Sequence, residues 1–217
     1  MTVQIHDVAQ RSPEWHALRA GRVGGSDAAD VLATLKGKGE AASRRDLRTR
    51  LALEIVTGQS EPSGYINADM QRGIDMEPEA RAAFEMKTGV LVQEVGYVSN
   101  GDRLGWSPDG FIGGPVARVH GLEIKVPRPA RQLAYWRCGG VPAEHKAQVL
   151  HAFAVYPMLY TMTFVSYAPP LPVYIAEVVR QEWATDIAAY QTALDAFLVE
   201  LDAEVAEIRR LMAAQGE

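Results

Sequence analysis

The chain has one cysteine, Cys138, in 217 residues. That excludes an intramolecular disulfide, a cysteine-rich zinc site and a four-cysteine iron–sulfur cluster. It has no apolar run of membrane-spanning length, and Met1-Thr2-Val3-Gln4-Ile5-His6-Asp7 carries neither the basic nor the hydrophobic region of a signal peptide. A cytoplasmic protein with no membrane partner is the expectation. Positive charge is in deficit: 22 Lys and Arg against 27 Asp and Glu leave a formal net charge of −5. Nucleic acid is therefore not attracted globally, and any DNA contact must come from local basic groups and bound cations. Internal repeats and low-complexity segments are also missing.

What the chain does have is core material. With 47% hydrophobic residues it can bury a sizeable interior, and a single globular domain over residues 1–217 is expected.

Chemistry concentrates between residues 107 and 127, in Ser107-Pro108-Asp109-Gly110 and then Leu122-Glu123-Ile124-Lys125-Val126-Pro127. Side chains alternate along a strand, so Glu123 and Lys125 share one face while Ile124 points into the core. Gly113, Gly114, Pro115 and Gly121 supply the turn chemistry of a hairpin or wide loop that lays Asp109 beside that face. Two carboxylates on rigid strands form a hard-oxygen site suited to Mg²⁺ or Mn²⁺, and an adjacent lysine neutralises developing charge. That is equipment for hydrolysing a phosphodiester. An Asp-Gly turn followed by a solvated strand face fits the same short spacing.

The other segments supply context. Ser12-Pro13-Glu14 starts a short helix that Gly21 ends, carrying Trp15, Leu18 and Arg19. Gly24-Gly25-Ser26-Asp27 opens a second helix through Val31, Leu32 and Leu35. Its N-terminus is either an anion seat, with Arg19 and Ser26 holding a terminal phosphate, or a start capped by Ser26. Residues 36–43, with Lys36, Gly37 and Lys38, read as a loop. A helix from about Arg44 to Val56 has Arg44, Arg45, Arg48 and Arg50 on its outer side, a backbone-contacting or merely solvated face. Residues 59–68, with Pro62, Ser63 and Gly64, read as another loop. A helix then starts at Asp75-Met76-Glu77-Pro78-Glu79, where Glu77 and Glu79 are either normal first-turn acids or a further metal ligand.

Strands are expected at Val90 to Val98, Leu104 to Trp106 and His120 to Val126. Arg128 to Gly140 mixes arginines with Tyr135 and Trp136, suited to a nucleic-acid strand or to the core. Ala143 to Tyr156 is a helix with His145, Gln148 and His151 along one side; Gln148 is placed to hold a water or phosphate oxygen. Thr161 to Tyr167 and Val173 to Val179 are strands extending the sheet. A long amphipathic helix, bent or broken once, follows from about Gln181 to Ala214 and covers the sheet or meets another subunit.

Five pieces in this order carry a resemblance: Trp15-His16-x-Leu18-Arg19-x-Gly21 with Ser26; Gly73-x-x-x-Glu77-x-x-Ala80-Arg81; Ser107-Pro108-Asp109-Gly110; Leu122-Glu123-Ile124-Lys125-x-Pro127; and Ala147-Gln148-Val149. The chain resembles the PD-(D/E)xK nucleases, and within them the phage lambda exonuclease or YqaJ-type viral recombinase family. The resemblance implies a restriction-endonuclease-like α/β fold, a mixed central sheet flanked by helices. It implies metal ligation by Asp109, Glu123 and the Ile124 carbonyl with Glu77 close by, Lys125 as catalytic lysine and Gln148 near the scissile phosphate. Arg19, Ser26 and Ser107 would form a pocket for the 5′-phosphate of a double-stranded DNA end. The implied activity is Mg²⁺-dependent 5′-to-3′ exonuclease action releasing mononucleotides for phage-type recombination in a bacterial host. A homotrimeric ring and a single-strand annealing partner are implied too. Met76, Gly24-Gly25 and Val126 depart from the family pattern, and none of them removes a charged or metal-binding group. An endonuclease of restriction or repair type and a non-catalytic DNA-end-binding module are the rival readings.

Overall fold

The structure is a computed structural model that describes residues 2–35, 39–60, 67–114 and 118–215. Lys36, Gly37 and Lys38 of the first expected loop, Pro62, Ser63 and Gly64 of the second, and Pro115 of the expected hairpin lie outside the described residues.

Two sheets organise the chain. The smaller is antiparallel, with β1 (Val3–His6) beside β3 (Tyr97–Asn100) and then β4 (Leu104–Trp106). The larger has the order β2 (Val92–Gln93), β5 (Gly110–Ile112), β6 (His120–Lys125), β7 (Thr161–Ser166), β8 (Tyr174–Val179). Only β6 and β7 run parallel among these pairs. A parallel step needs a crossover, and α5 (Pro129–Cys138) with α6 (Ala143–Val155) supplies it. The sheet is thus mixed and flanked by helices.

Both faces of the larger sheet are covered. Leu122, Ile124 and Val165 pack on Ala80 and Phe84 of α4 (Ala68–Thr88). On the opposite face Phe111, Met162 and Val178 join Val149, Leu150 and Phe153 of α6 in the main core. Glu123 and Lys125 share the α6 side, since Glu123 pairs in register with Phe164 next along from Gly121 with Met162. The face expected to be an open surface is therefore a cleft under a helix, and Glu123 is only 1% exposed.

Several expectations need correcting. The acids around Glu77 do not start a helix: α4 begins at Ala68, capped by the Asn67 side chain, and Pro78 sits in its interior. The positive helix end therefore plays no part in their placement. The residues after Gly24 form a 3-10 turn, Gly25–Asp27, and a four-residue α2 (Ala28–Val31) that stops before Leu35. The Gly24 N–H donates to Asp27 Oδ2 at 2.8 Å, so Ser26 is not the cap, and a helix this short offers no dipole for an anion. Val90 to Val98 is two strands in two sheets, not one, and the strand β1 was not expected.

The arginines of α3 (Ala42–Thr57) do not form a solvated stripe. Arg44 and Arg48 bind Glu40, Glu200 and Glu204, and Arg50 binds Asp27 and Glu54. Two of those acids belong to α7 (Ala184–Gln215), a single 32-residue helix without a break. Its buried stripe of Ile187, Tyr190, Leu194, Phe197, Leu201 and Val205 has helical spacing, and the helix packs on α3 and α6.

Arg11 is the single non-glycine residue among those described with a left-handed backbone, φ 68°. That conformation costs an L-residue with a side chain about 1–2 kcal/mol. Both neighbours pin it. The Gln10 side chain donates to the Pro108 and Val95 carbonyls at 2.9 and 3.3 Å, and Ser12 Oγ accepts the Trp15 N–H to cap α1 (Pro13–Arg19).

Candidate active site

The site is built outward from β6. Asp109 immediately precedes β5, its N–H reaches the Leu122 carbonyl at 3.3 Å, and its Oδ2 accepts the Ile124 N–H at 2.6 Å. A residue's N–H and C=O leave the same edge of an extended strand, so the Ile124 carbonyl faces the Asp109 side. One residue along, Glu123 Oε1 accepts from Lys125 Nζ and from Gln148 Nε2, both at 2.5 Å. Glu77, from the middle of α4, accepts from Arg81 Nη2 at 3.0 Å and lies 3.6 Å from Arg11 Nη2. Glu77, Asp109, Glu123, Ile124, Lys125 and Gln148 all line one cavity of about 760 Å³. Glu79 accepts a hydrogen bond from Tyr167 instead and does not line that cavity.

Burial first, and crowded like charges second, set the electrostatics. Burial, then the neighbouring Glu123 charge, pushes the Asp109 carboxyl up to about 7. Burial and then Asp109 push Glu77 up as well. Lys125 pays a burial cost to its charged form, but Glu123 and Asp109 outweigh it and its pKa is raised. Burial and then Lys125 lower His145, down to about 4, so the imidazole that meets the Tyr135 hydroxyl at 2.9 Å is neutral. Carboxylates that raise one another's pKa are a donor set a divalent cation relieves. Among the described residues no three His, Cys, Asp or Glu side chains converge closely enough to hold a metal ion by themselves. A cation here would rest on Asp109, Glu123 and the Ile124 carbonyl, leaving coordination positions for water and phosphate oxygens, as suits Mg²⁺ or Mn²⁺.

A second group adjoins the first. The Trp15 Nε1–H donates to Ser107 Oγ at 2.9 Å, and the Arg19 guanidinium lies over the Trp15 ring, 4.3 Å from its centroid. A Cβ added at Gly24 would sit 3.7 Å from Arg19 Nη2, and one at Gly25 would press to 3.2 Å from Gln148 Cγ. The two glycines thus let the chain pass between the arginine and the glutamine. Ser26 follows on the same turn and is exposed. Sequence reasoning gave Trp15 no role, although its indole joins Ser107 to Arg19; a tryptophan four residues before an arginine on one helix face was the available signal.

His151 does not extend this site. It is fully buried and bridges the Tyr190 hydroxyl and the Gly105 carbonyl.

Residues 14–161 match the model of the YqaJ-like viral recombinase domain. The chain belongs to that family. Among solved structures, this YqaJ-type protein is similar to an alkaline exonuclease, LHK-Exo, from Laribacter hongkongensis, at 33% identity and TM-score 0.78, covering 94% of this chain and 100% of that one. The same protein in complex with dAMP matches at 32% identity and TM-score 0.80, with the same coverage. A phage related exonuclease from Haemophilus somnus 129PT matches at 12% identity and TM-score 0.56, covering 86% of this chain and 96% of that one, and at that identity it speaks for the fold alone. No protein of curated description matches.

Proposed function

We propose that this YqaJ-type protein is a deoxyribonuclease of the lambda-exonuclease type, working as one nuclease domain over its 217 residues. It is a metal-dependent 5′-to-3′ exonuclease that releases mononucleotides from 5′-phosphorylated ends of double-stranded DNA. The observation that carries this reading is the bond from the Ile124 N–H to Asp109, which ties the Ser107-Pro108-Asp109-Gly110 turn to Glu123-Ile124-Lys125 and so gathers two carboxylates and a lysine at one cavity.

Asp109, Glu123 and the Ile124 carbonyl, beside Glu77, would hold divalent ions, Mg²⁺ or Mn²⁺, which would supply Lewis acidity to the scissile phosphate and lower the pKa of water. The chain's own groups do the rest. Lys125 sets positive charge against the phosphorane-like charge that develops as water adds to phosphorus. Gln148, bonded to Glu123, presents its amide to a phosphate oxygen. Arg19, Ser26 and Ser107 hold the terminal 5′-phosphate, with Trp15 fixing Arg19 and Ser107. The P–O3′ bond one nucleotide in from the end breaks, the 3′-oxygen leaves with a proton, and a mononucleotide departs. The remaining strand now begins with a new 5′-phosphate, the group that the seat recognises, so digestion proceeds stepwise. A ring of three copies around the duplex and transfer of the 3′ tail to a single-strand annealing protein complete the proposal, in a phage or prophage setting.

End-labelled linear duplex with and without a 5′-phosphate, in Mg²⁺ and in EDTA, beside a covalently closed circle, tests it. Mononucleotides from the phosphorylated end in Mg²⁺ alone are expected. Cutting of the circle would make it an endonuclease, and equal rates on 5′-hydroxyl ends would remove the phosphate seat.

A further inference from the structure

The protein is acidic and its cleft carries as many carboxylates as cations, Asp69, Glu77, Asp109 and Glu123 against four basic side chains, yet its substrate is a polyanion, so those cations must account for the grip on DNA. Among the described residues four lysine and arginine side chains line the larger cavity: Arg11, Lys125, Arg128 and Arg131. Three are engaged. Lys125 is bound to Glu123, Arg128 to Asp69 and Arg131 to Glu144. Arg11 makes only a long ion pair, 3.6 Å to Glu77 Oε2 and beyond hydrogen-bond distance, while Arg81 holds the other oxygen, Oε1, at 3.0 Å.

Arg11 also stands in a distinctive place. It lines a second cavity of about 530 Å³ that meets the first at Glu77 and Asp109, and its side chain is 48% exposed. Its backbone adopts φ 68°, a conformation glycine takes freely and arginine does not. Strain of this kind persists where the surroundings over-determine it and gathers at functional sites. Here Gln10 ties the preceding residue to Pro108, next to Asp109, and Ser12 caps the helix that carries Trp15 and Arg19. The backbone that carries the guanidinium is therefore held between the carboxylates and the terminal-phosphate group.

We infer that Arg11 is a DNA-positioning residue that grips a backbone phosphate of the strand lying in the cleft beside Glu77 and Asp109. The planar fork of the guanidinium suits two phosphate oxygens, and its loose contact with Glu77 is exchanged for them when the strand enters. This rests on the nuclease reading above.

The test measures binding of 5′-phosphorylated duplex ends in Mg²⁺ as a function of salt, in a Lys125→Ala background that suppresses turnover, with and without Arg11→Gly. Glycine removes the cation and relieves the backbone, so the variant should melt at or above its parent. Its Kd should rise about tenfold and its salt slope should fall by about 0.9, the loss of one phosphate contact. Arg11→Lys should recover most of the slope. An unchanged slope and Kd overturn the inference. A lower melting temperature with an unchanged slope overturns it too, by assigning Arg11 to structure alone. A parent that binds no duplex at any salt overturns the nuclease reading itself, and this inference with it.

Discussion

The seam between α3 and α7 and the cleft at the end of β6 are both dense in charge, but the charge is balanced differently. In the seam two arginines, Arg44 and Arg48, meet three acids in a mutually bonded network, and hydrogen bonds from the arginines hold Glu40 and Glu200 below the ordinary carboxylate range. In the cleft Asp109 and Glu77 are pushed above that range by burial and by neighbouring carboxylates. The same residue type is displaced in opposite directions. Carboxylates met directly by arginines fasten two helices together, whereas Asp109, buried and bonded to a backbone N–H rather than to a cation, leaves a place for a metal ion.

The largest effect that would break this comparison is on catalysis. Lys125→Ala should lower kcat by about 10²–10³ with the circular dichroism of a folded protein; wild-type rates would remove the catalytic assignment. Next comes Arg19→Ala, which should abolish the preference for 5′-phosphorylated over 5′-hydroxyl ends, a loss of about tenfold in kcat/KM on the phosphorylated substrate alone.

The pH dependence separates the regions by sign. A carboxyl with a raised folded pKa binds more protons folded than unfolded, so it lowers stability as pH climbs from its ordinary value towards the raised one. For Asp109 that window runs from 3.8 to about 7. The melting temperature of metal-free protein should fall across it, and Asp109→Asn or saturating Mg²⁺ should flatten the fall. The lowered acids Glu40 and Glu200 act oppositely: their contribution is present above 4.5 and is lost as pH falls through their folded values. Arg48→Ala should cost about 1–3 kcal/mol in urea unfolding, since the network is partly buried, and should leave kcat per folded molecule alone. The smallest effect is expected of Arg45→Ala, an exposed pair with Asp46, within about 0.5 kcal/mol and with no change in DNA affinity.

How much of this was legible in the sequence follows the range of the interactions. The Asp109 turn, the strand β6 and the helix α6 are written in local signals: a proline-bounded turn, period-two alternation and a proline stop. The gathering of Asp109, Glu123 and Lys125 at one cavity follows from two adjacent strands. The start of α4 was misread because Pro78, normally a first-turn residue, lies in the interior of a helix whose real cap is Asn67. The role of the α3 arginines was hidden because their partners Glu200 and Glu204 are far along the chain, and no local pattern marks them. Arg11 escaped notice for a related reason: a left-handed backbone is signalled by glycine, and here an arginine occupies it.

Titration of Mn²⁺ into the metal-free protein, followed by calorimetry at pH 8 for wild type and for Asp109→Asn, tests the cradle most directly. Saturable binding by wild type that Asp109→Asn weakens at least tenfold, with both proteins folded, is the expected result. Equal affinity in the two would place the metal elsewhere and contradict the assignment.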